Sequence, residues 1–207
     1  MRQNIRKSVR LLALGAIGCA LAGCAVSLAD SSLHAWRVPT TAMKPTLSVG
    51  ETVYTGSGPI HVRVGEVVIF HPPRGALHGN LGTCGAHVSE RQLCPDPTGG
   101  RSSTFYMDRI VALGGSRLAM FGGHVAINGK VRHEPFARTS ACVFARLCNY
   151  PEPITIPRGY AFMLGDNRAA SDDSRFWGPV PLSWIVGVAE TCDRAQKHCH
   201  AAGYPPA

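Results

Sequence analysis

The sequence predicts a mainly antiparallel β domain held outside the cytosol behind one N-terminal transmembrane helix, and three observations on its 207 residues predict it. Charged residues are only 16%, while 23 glycines and 15 prolines favour short strands joined by many turns over long helices. An uncharged run from Leu11 to Ala29 follows a basic N-terminus. Beyond that run the cysteines fall into close sequential pairs, Cys84 with Cys94, Cys142 with Cys148 and Cys192 with Cys199. Six cysteines allow 15 connectivities, of which neighbour pairing is the simplest. Disulfides of that kind place a domain in an oxidising compartment.

The length suits one medium domain plus a short extra segment. A formal charge of +8 raises the question of nucleic acid, but the Lys and Arg residues are scattered and form no basic helix or aromatic-interleaved stripe. Nucleic acid is therefore not an expected partner. A zinc site needs C-x-x-C knuckles, which this spacing lacks, so no metal ligand and no cofactor is expected.

Residues 1–10 carry Arg2, Arg6, Lys7 and Arg10, and the 19 residues from Leu11 to Ala29 match the roughly 20 needed to cross a bilayer. The positive-inside rule then puts 1–10 in the cytoplasm, 11–29 in the cytoplasmic membrane and 30–207 outside. Two other readings export the same domain. Leu21-Ala22-Gly23-Cys24 has the form of a lipoprotein cleavage box, which would lipidate Cys24, and the run also suits a cleaved secretory signal.

Past the anchor, Arg37–Leu47 (RVPTTAMKPTL) reads as a short strand entering a turn at Met43-Lys44-Pro45, with Pro45 biasing its predecessor to extended geometry. Leu33, Trp36 and Val38 form either a lipid-touching shoulder or the packing of the first strand. Gly50–Thr55 reads as turn and strand, and Val64–Phe70 as a buried strand by its apolar run. Residues 71–104 are rich in Pro, Gly and His and read as a long stapled loop. Phe105–Leu113 is a strand, and Gly122–Val131 is a hairpin on Asn128-Gly129, the strongest short hairpin signal in the chain. Ile154–Leu164 supplies a turn and a further strand, which runs into GDNRAASDDSRFWGPV, residues 165–180.

That last stretch resembles the Gly-Asp-Asn-x-x-x-Ser-x-Asp-Ser-Arg-x-(Trp/Tyr)-Gly-x-Val box of the bacterial type I signal peptidases, Ser/Lys endopeptidases of the membrane surface. Arg37–Leu47 resembles their serine box and Phe105–Ser116 their lysine box, with weaker agreement after Arg109. The resemblance spans about residues 37–190 and implies the coiled antiparallel sheets of that family. It also implies a site at which a serine precedes Met43 and a lysine precedes Arg109; this chain has Ala42 and Asp108. By the same resemblance Thr40 stands on the oxyanion side and Ser171 orients the base. Asp173 pairs with Arg175 to hold the loop, Asp166 and Asn167 support the site, and Met43 and Pro45 face the peptide.

A lysine serves as base only when desolvation leaves it neutral, and a carboxylate with an ordinary pKa of about 3.9 is too weak for that work. Losing the nucleophile or base of such a site costs roughly three to six orders of magnitude. The expected function is therefore a non-cleaving relative that binds extended signal-peptide-like segments of exported proteins, beside membrane lipid, by β-augmentation. Three alternatives stand beside it: an active endopeptidase using Thr41, an aspartic-type pair of Asp108 with Asp166 or Asp173, and a lipidated interaction module. Strand alternation would point Thr41 away from the face of Ala42.

Overall fold

A computed structural model describes residues 33–57, 59–77, 84–97, 99–142, 146–193 and 198–202. The N-terminal segment 1–10, the apolar run 11–29 and Cys24 lie outside the described residues. Within the latter no helix is long and apolar enough to cross a membrane.

The strands in chain order are β1 (His34–Arg37), β2 (Thr52–Thr55), β3 (Val67–Phe70), β4 (Tyr106–Leu113), β5 (Arg117–Phe121), β6 (His124–Ile127) and β7 (Lys130–Val131). They are followed by β8 (Tyr150–Thr155), β9 (Tyr160–Leu164), β10 (Val180–Pro181), β11 (Ile185–Val188), β12 (Glu190–Asp193) and β13 (His198–Ala201). Among the described residues one short α-helix, α1 (Ser174–Trp177), and four short 3-10 turns interrupt them. The mainly β expectation is met. The strands make three sheets, ordered β1-β2-β12-β13, β10-β9-β4-β3-β11 and β7-β6-β5-β8. Every pairing between these strands is antiparallel.

The continuous apolar run of β3 has a direct cause, because both faces of the strand are covered. Val67 and Ile69 pack with Val38, Met43, Leu47 and Val53, whereas Val68 and Phe70 pack with Ile110, Met163 and Trp177. A third cluster of Leu118, Met120, Val125, Ile154 and Phe162 fills the sheet built on the β5–β6 hairpin. At the tip of the β6–β7 hairpin Asn128 and Gly129 both take positive φ, 52° and 81°, as a type I′ turn demands.

The structure departs from the sequence expectation in several places. Strands β8, β10 and β11 were not expected. The first strand ends at Arg37, so Ala42 is not on a strand but in a turn. Strand β5 was not expected, since RLAMF has neither strict alternation nor a β-branched run. The C-terminal hairpin of β12 and β13 was missed because ETCD and HCHA are polar; the Cys192–Cys199 disulfide joins directly opposed residues and pins it. All three sequential disulfides are present, the others being Cys84–Cys94 and Cys142–Cys148. Val38 belongs to the core, while Leu33 is exposed and Trp36 donates its indole N–H to Thr55 Oγ1 at 3.0 Å.

Candidate functional site

Residues 40–47 form a compact turn because prolines 39 and 45 interrupt strand pairing and two apolar residues pull the segment inward. Lys44 N donates to Thr41 O at 3.1 Å and Leu47 N to Met43 O at 2.9 Å. Met43 and Leu47 are buried in the core. Ala42 N donates to Thr40 Oγ1 at 3.3 Å, which engages that backbone donor within the turn. Thr41 is exposed. The alternation argument that excluded it fails in its premise, since no strand runs through this position.

The turn is tied to the 165–177 segment. Asn167 N donates to Ala42 O at 2.8 Å and Asn167 Nδ2 to Thr41 O at 3.2 Å. Gly165 admits this closeness: a Cβ there would stand 2.2 Å from Ser171 Oγ and 2.8 Å from Ala42 O. Three buried ion pairs set the segment rigidly. Arg109 Nε and Nη2 grip Asp166 at 2.8 and 2.6 Å, and its guanidinium lies 3.9 Å from the Phe136 ring centroid. Thr46 Oγ1 also donates to Asp166. Arg168 grips Glu134 at 2.7 and 3.1 Å. Arg175 Nε and Nη2 grip Asp173 at 2.7 and 2.9 Å, while Asp173 caps α1 and accepts from Gly165 N at 3.2 Å. Charge-assisted bidentate geometry of this kind orients as well as attracts.

Against that frame lies a cleft of about 300 Å³ lined by Val38, Pro39, Thr40, Ala42, Met43, Phe105, Tyr106, Met107, Asp108, Ala170 and Asp172. It therefore brings together Thr40, Ala42, Met43 and Asp108. Pro45 is exposed and outside the lining, as is Thr41, because the turn carries both past the cleft's edge. Ser171, Asp173, Arg175, Asp166 and Asn167 lie outside the lining, in the segment that is tied to the turn. The lining has no Ser, Cys, Lys or His, so its hydroxyls, those of Thr40 and Tyr106, have no amine or imidazole partner in it. Sequence reasoning missed Asp172. It falls at a variable position of the last box, so no pattern marked it.

Period-two alternation puts Tyr106, Asp108 and Ile110 on one face of β4 and Met107 and Arg109 on the other. Asp108 is 2% exposed and its Oδ2 has no hydrogen-bond partner among the described residues; Ser171 Oγ is in the same condition. Burial, and then the charges of Asp173, Asp172 and Asp166, raise Asp108 well above the usual carboxyl range against a smaller opposing effect of Arg175. Asp172 is half-buried and accepts from Trp177 Nε1 at 3.2 Å; burial first and Asp173 second push it up to about 6. Both acids are shifted toward the protonated form relative to an exposed carboxyl. Such a group adds stability that is complete below its unfolded pKa and is lost as pH rises toward its folded pKa.

Asp172→Asn is accordingly expected to remove a loss of stability that the parent shows between about pH 4 and 6, read from urea midpoints across that window. Replacing the orphaned acid by a similar apolar volume, Asp108→Leu, is expected to stabilise the fold by about 1–3 kcal/mol at pH 7. A lower midpoint for Asp108→Leu would show that this carboxyl is satisfied in the fold.

A family model for signal peptidase, peptidase S26, matches residues 10–192. The chain belongs to this family. A probable thylakoidal processing peptidase 2 of Arabidopsis thaliana is 33% identical over 154 residues, which is 72% of this chain and 35% of that protein. Signal peptidase I of Leptolyngbya laminosa is 28% identical over 156 residues, 73% of this chain and 64% of that protein. A solved signal peptidase I from Enterococcus faecalis is 22% identical with a TM-score of 0.40, over 63% of this chain and 98% of that one. The chain spans about a third of the thylakoidal relative's length. Ala42 and Asp108 both line the cleft described above.

Proposed function

We propose that this chain is a non-cleaving signal peptidase relative that binds an extended peptide in the cleft beside residues 40–43. The observation that carries this reading is the cleft's composition. Its turn and ion-pair frame are fully built, yet Ala42 offers a methyl group and Asp108 a buried acid where hydrolysis needs a hydroxyl and an amine. A methyl group cannot attack a carbonyl. The Thr41 alternative is not favoured, because Thr41 is exposed and outside the lining. An aspartic-type pair with Asp166 or Asp173 is not favoured either, since each of those carboxylates is held by an arginine.

In this reading residues 11–29 anchor the chain in the cytoplasmic membrane with residues 1–10 inside and the β domain outside, beside lipid. The occupant is a segment of an exported protein, with small side chains entering the apolar lining. Signal peptides are the expected class because related proteins carry the name signal peptidase I. Ala170 lines the cleft, so Ala170→Trp, which fills it, is expected to weaken binding of a small-x-small peptide at least about tenfold in fluorescence anisotropy. Unchanged binding in that variant would place the peptide elsewhere.

A further inference from the structure

Five buried or half-buried carboxylates stand around the 165–177 segment, and their partners divide them. Asp166, Asp173 and Glu134 each face an arginine. Asp108 and Asp172 form no ion pair with an arginine among the described residues, although Arg175 lies near enough to lower both: the first has an unpartnered Oδ2 and the second has the Trp177 N–H. These two are the acids that line the cleft, and its lining contains no basic side chain. The site is therefore locally acidic inside a chain whose formal charge is +8. Asp108 borders the cleft with its unpartnered Oδ2 out of solvent contact, and Asp172 beside it is half-buried. Two acids on the wall of a ligand cavity are complementary to a cation carrying several donors, and an ammonium supplies three.

We propose that the cleft selects a peptide bearing a primary-amine side chain, whose ammonium sits against Asp108 and Asp172. This rests on the peptide-binding reading and adds its specificity. The apolar wall of Val38, Pro39, Met43, Phe105 and Ala170 covers the methylene stem, and the two acids take the head. Ser171 Oγ, also buried and unpartnered, stands beside Gly165 behind the same turn. Two carboxylates alone are a poor site for a hard divalent ion, which needs six or more oxygens.

Proton linkage follows from the groups around Asp108. Tyr106 lies on its own strand, Asp166, Asp172, Asp173 and Arg175 come from the 165–177 segment, and the facing β3 residues Val68 and Phe70 are apolar. An arriving ammonium favours both carboxylates, so binding releases protons and tightens as pH rises through about 6.

The test uses pairs of otherwise identical small-x-small peptides with lysine or norleucine at each of three adjacent positions, titrated by calorimetry at pH 5 and pH 8. At one position lysine is expected to bind at least about tenfold tighter than norleucine at pH 8, with the advantage shrinking at pH 5. Asp108→Asn is expected to bring that ratio to about one, with thermal unfolding as the control for folding. Asp172→Asn is the second variant, expected to reduce the ratio and its pH dependence. Equal affinities at every position, or a ratio that survives both variants, would overturn the proposal while leaving the peptide-binding reading intact. If neither peptide of any pair binds, both readings fall together.

Discussion

Ala42→Ser combined with Asp108→Lys is expected to create a peptidase, at least about a thousandfold faster on a small-x-small peptide than either single variant or the parent. Nucleophile and base act as a unit, so restoring one without the other recovers almost nothing. A serine at 42 alone stands beside an acid that cannot deprotonate it, and a lysine at 108 alone has no hydroxyl to serve. Position 108 is 2% exposed, which supplies the desolvation that makes a lysine neutral and basic at moderate pH. Asp172 works against this, because a neighbouring carboxylate favours the ammonium. The double variant is thus expected to have an alkaline optimum, and adding Asp172→Asn to shift that optimum downward. Product formation by mass spectrometry across pH 6–10 measures both effects. A folded double variant with no activity would show that the turn at 40–47 no longer presents residue 42 to a bound peptide.

Asp173→Ala is expected to be the most destabilising simple change near the site. Arg175 is 2% exposed, and losing its carboxylate leaves an uncompensated buried cation, a defect of about 3–5 kcal/mol. The same carboxylate accepts from Gly165 N and caps α1, and the lost cap adds about 1 kcal/mol. Against a total of about 5–15 kcal/mol for an ordinary domain, this removes a large share. Urea unfolding followed by tryptophan fluorescence reports it, through Trp177 buried beside the pair. A shift below about 1 kcal/mol would mean that the arginine finds other partners; Leu147 O and Ser171 O, at 2.8 and 3.0 Å, are already in place.

Much of the fold was legible because apolar patterning governs buried strands. The VVIF run of β3 declared itself through its unbroken apolar character and the hairpin turn through the Asn128-Gly129 pair, whose positive φ values the structure shows. The β12–β13 hairpin did not, since polar strands held by a covalent bond between opposed cysteines leave no hydrophobic pattern to read. The box at 165–180 marks the segment that is tied to the 40–47 turn, because its glycine, acids and arginine are fixed by close approach and by buried ion pairing. Residue 42 was placed on a strand because Arg37–Ala42 looks extended in isolation. Two prolines and the inward pull of Met43 and Leu47 turn it instead. Asp172 escaped notice for a different reason: its importance is tertiary, arising from the cleft it shares with Asp108 and from the Trp177 N–H that holds it.

The central claim, that the chain grips a peptide without cutting it, is tested most directly by following binding and integrity in one sample. Residues 30–207, produced with the disulfides formed, are titrated with a labelled small-x-small signal peptide, and the same mixture is then analysed by mass spectrometry. Saturable binding that leaves the peptide intact over a day is the predicted result. Cleavage after a small residue that disappears in Thr41→Ala or Asp108→Ala would contradict it.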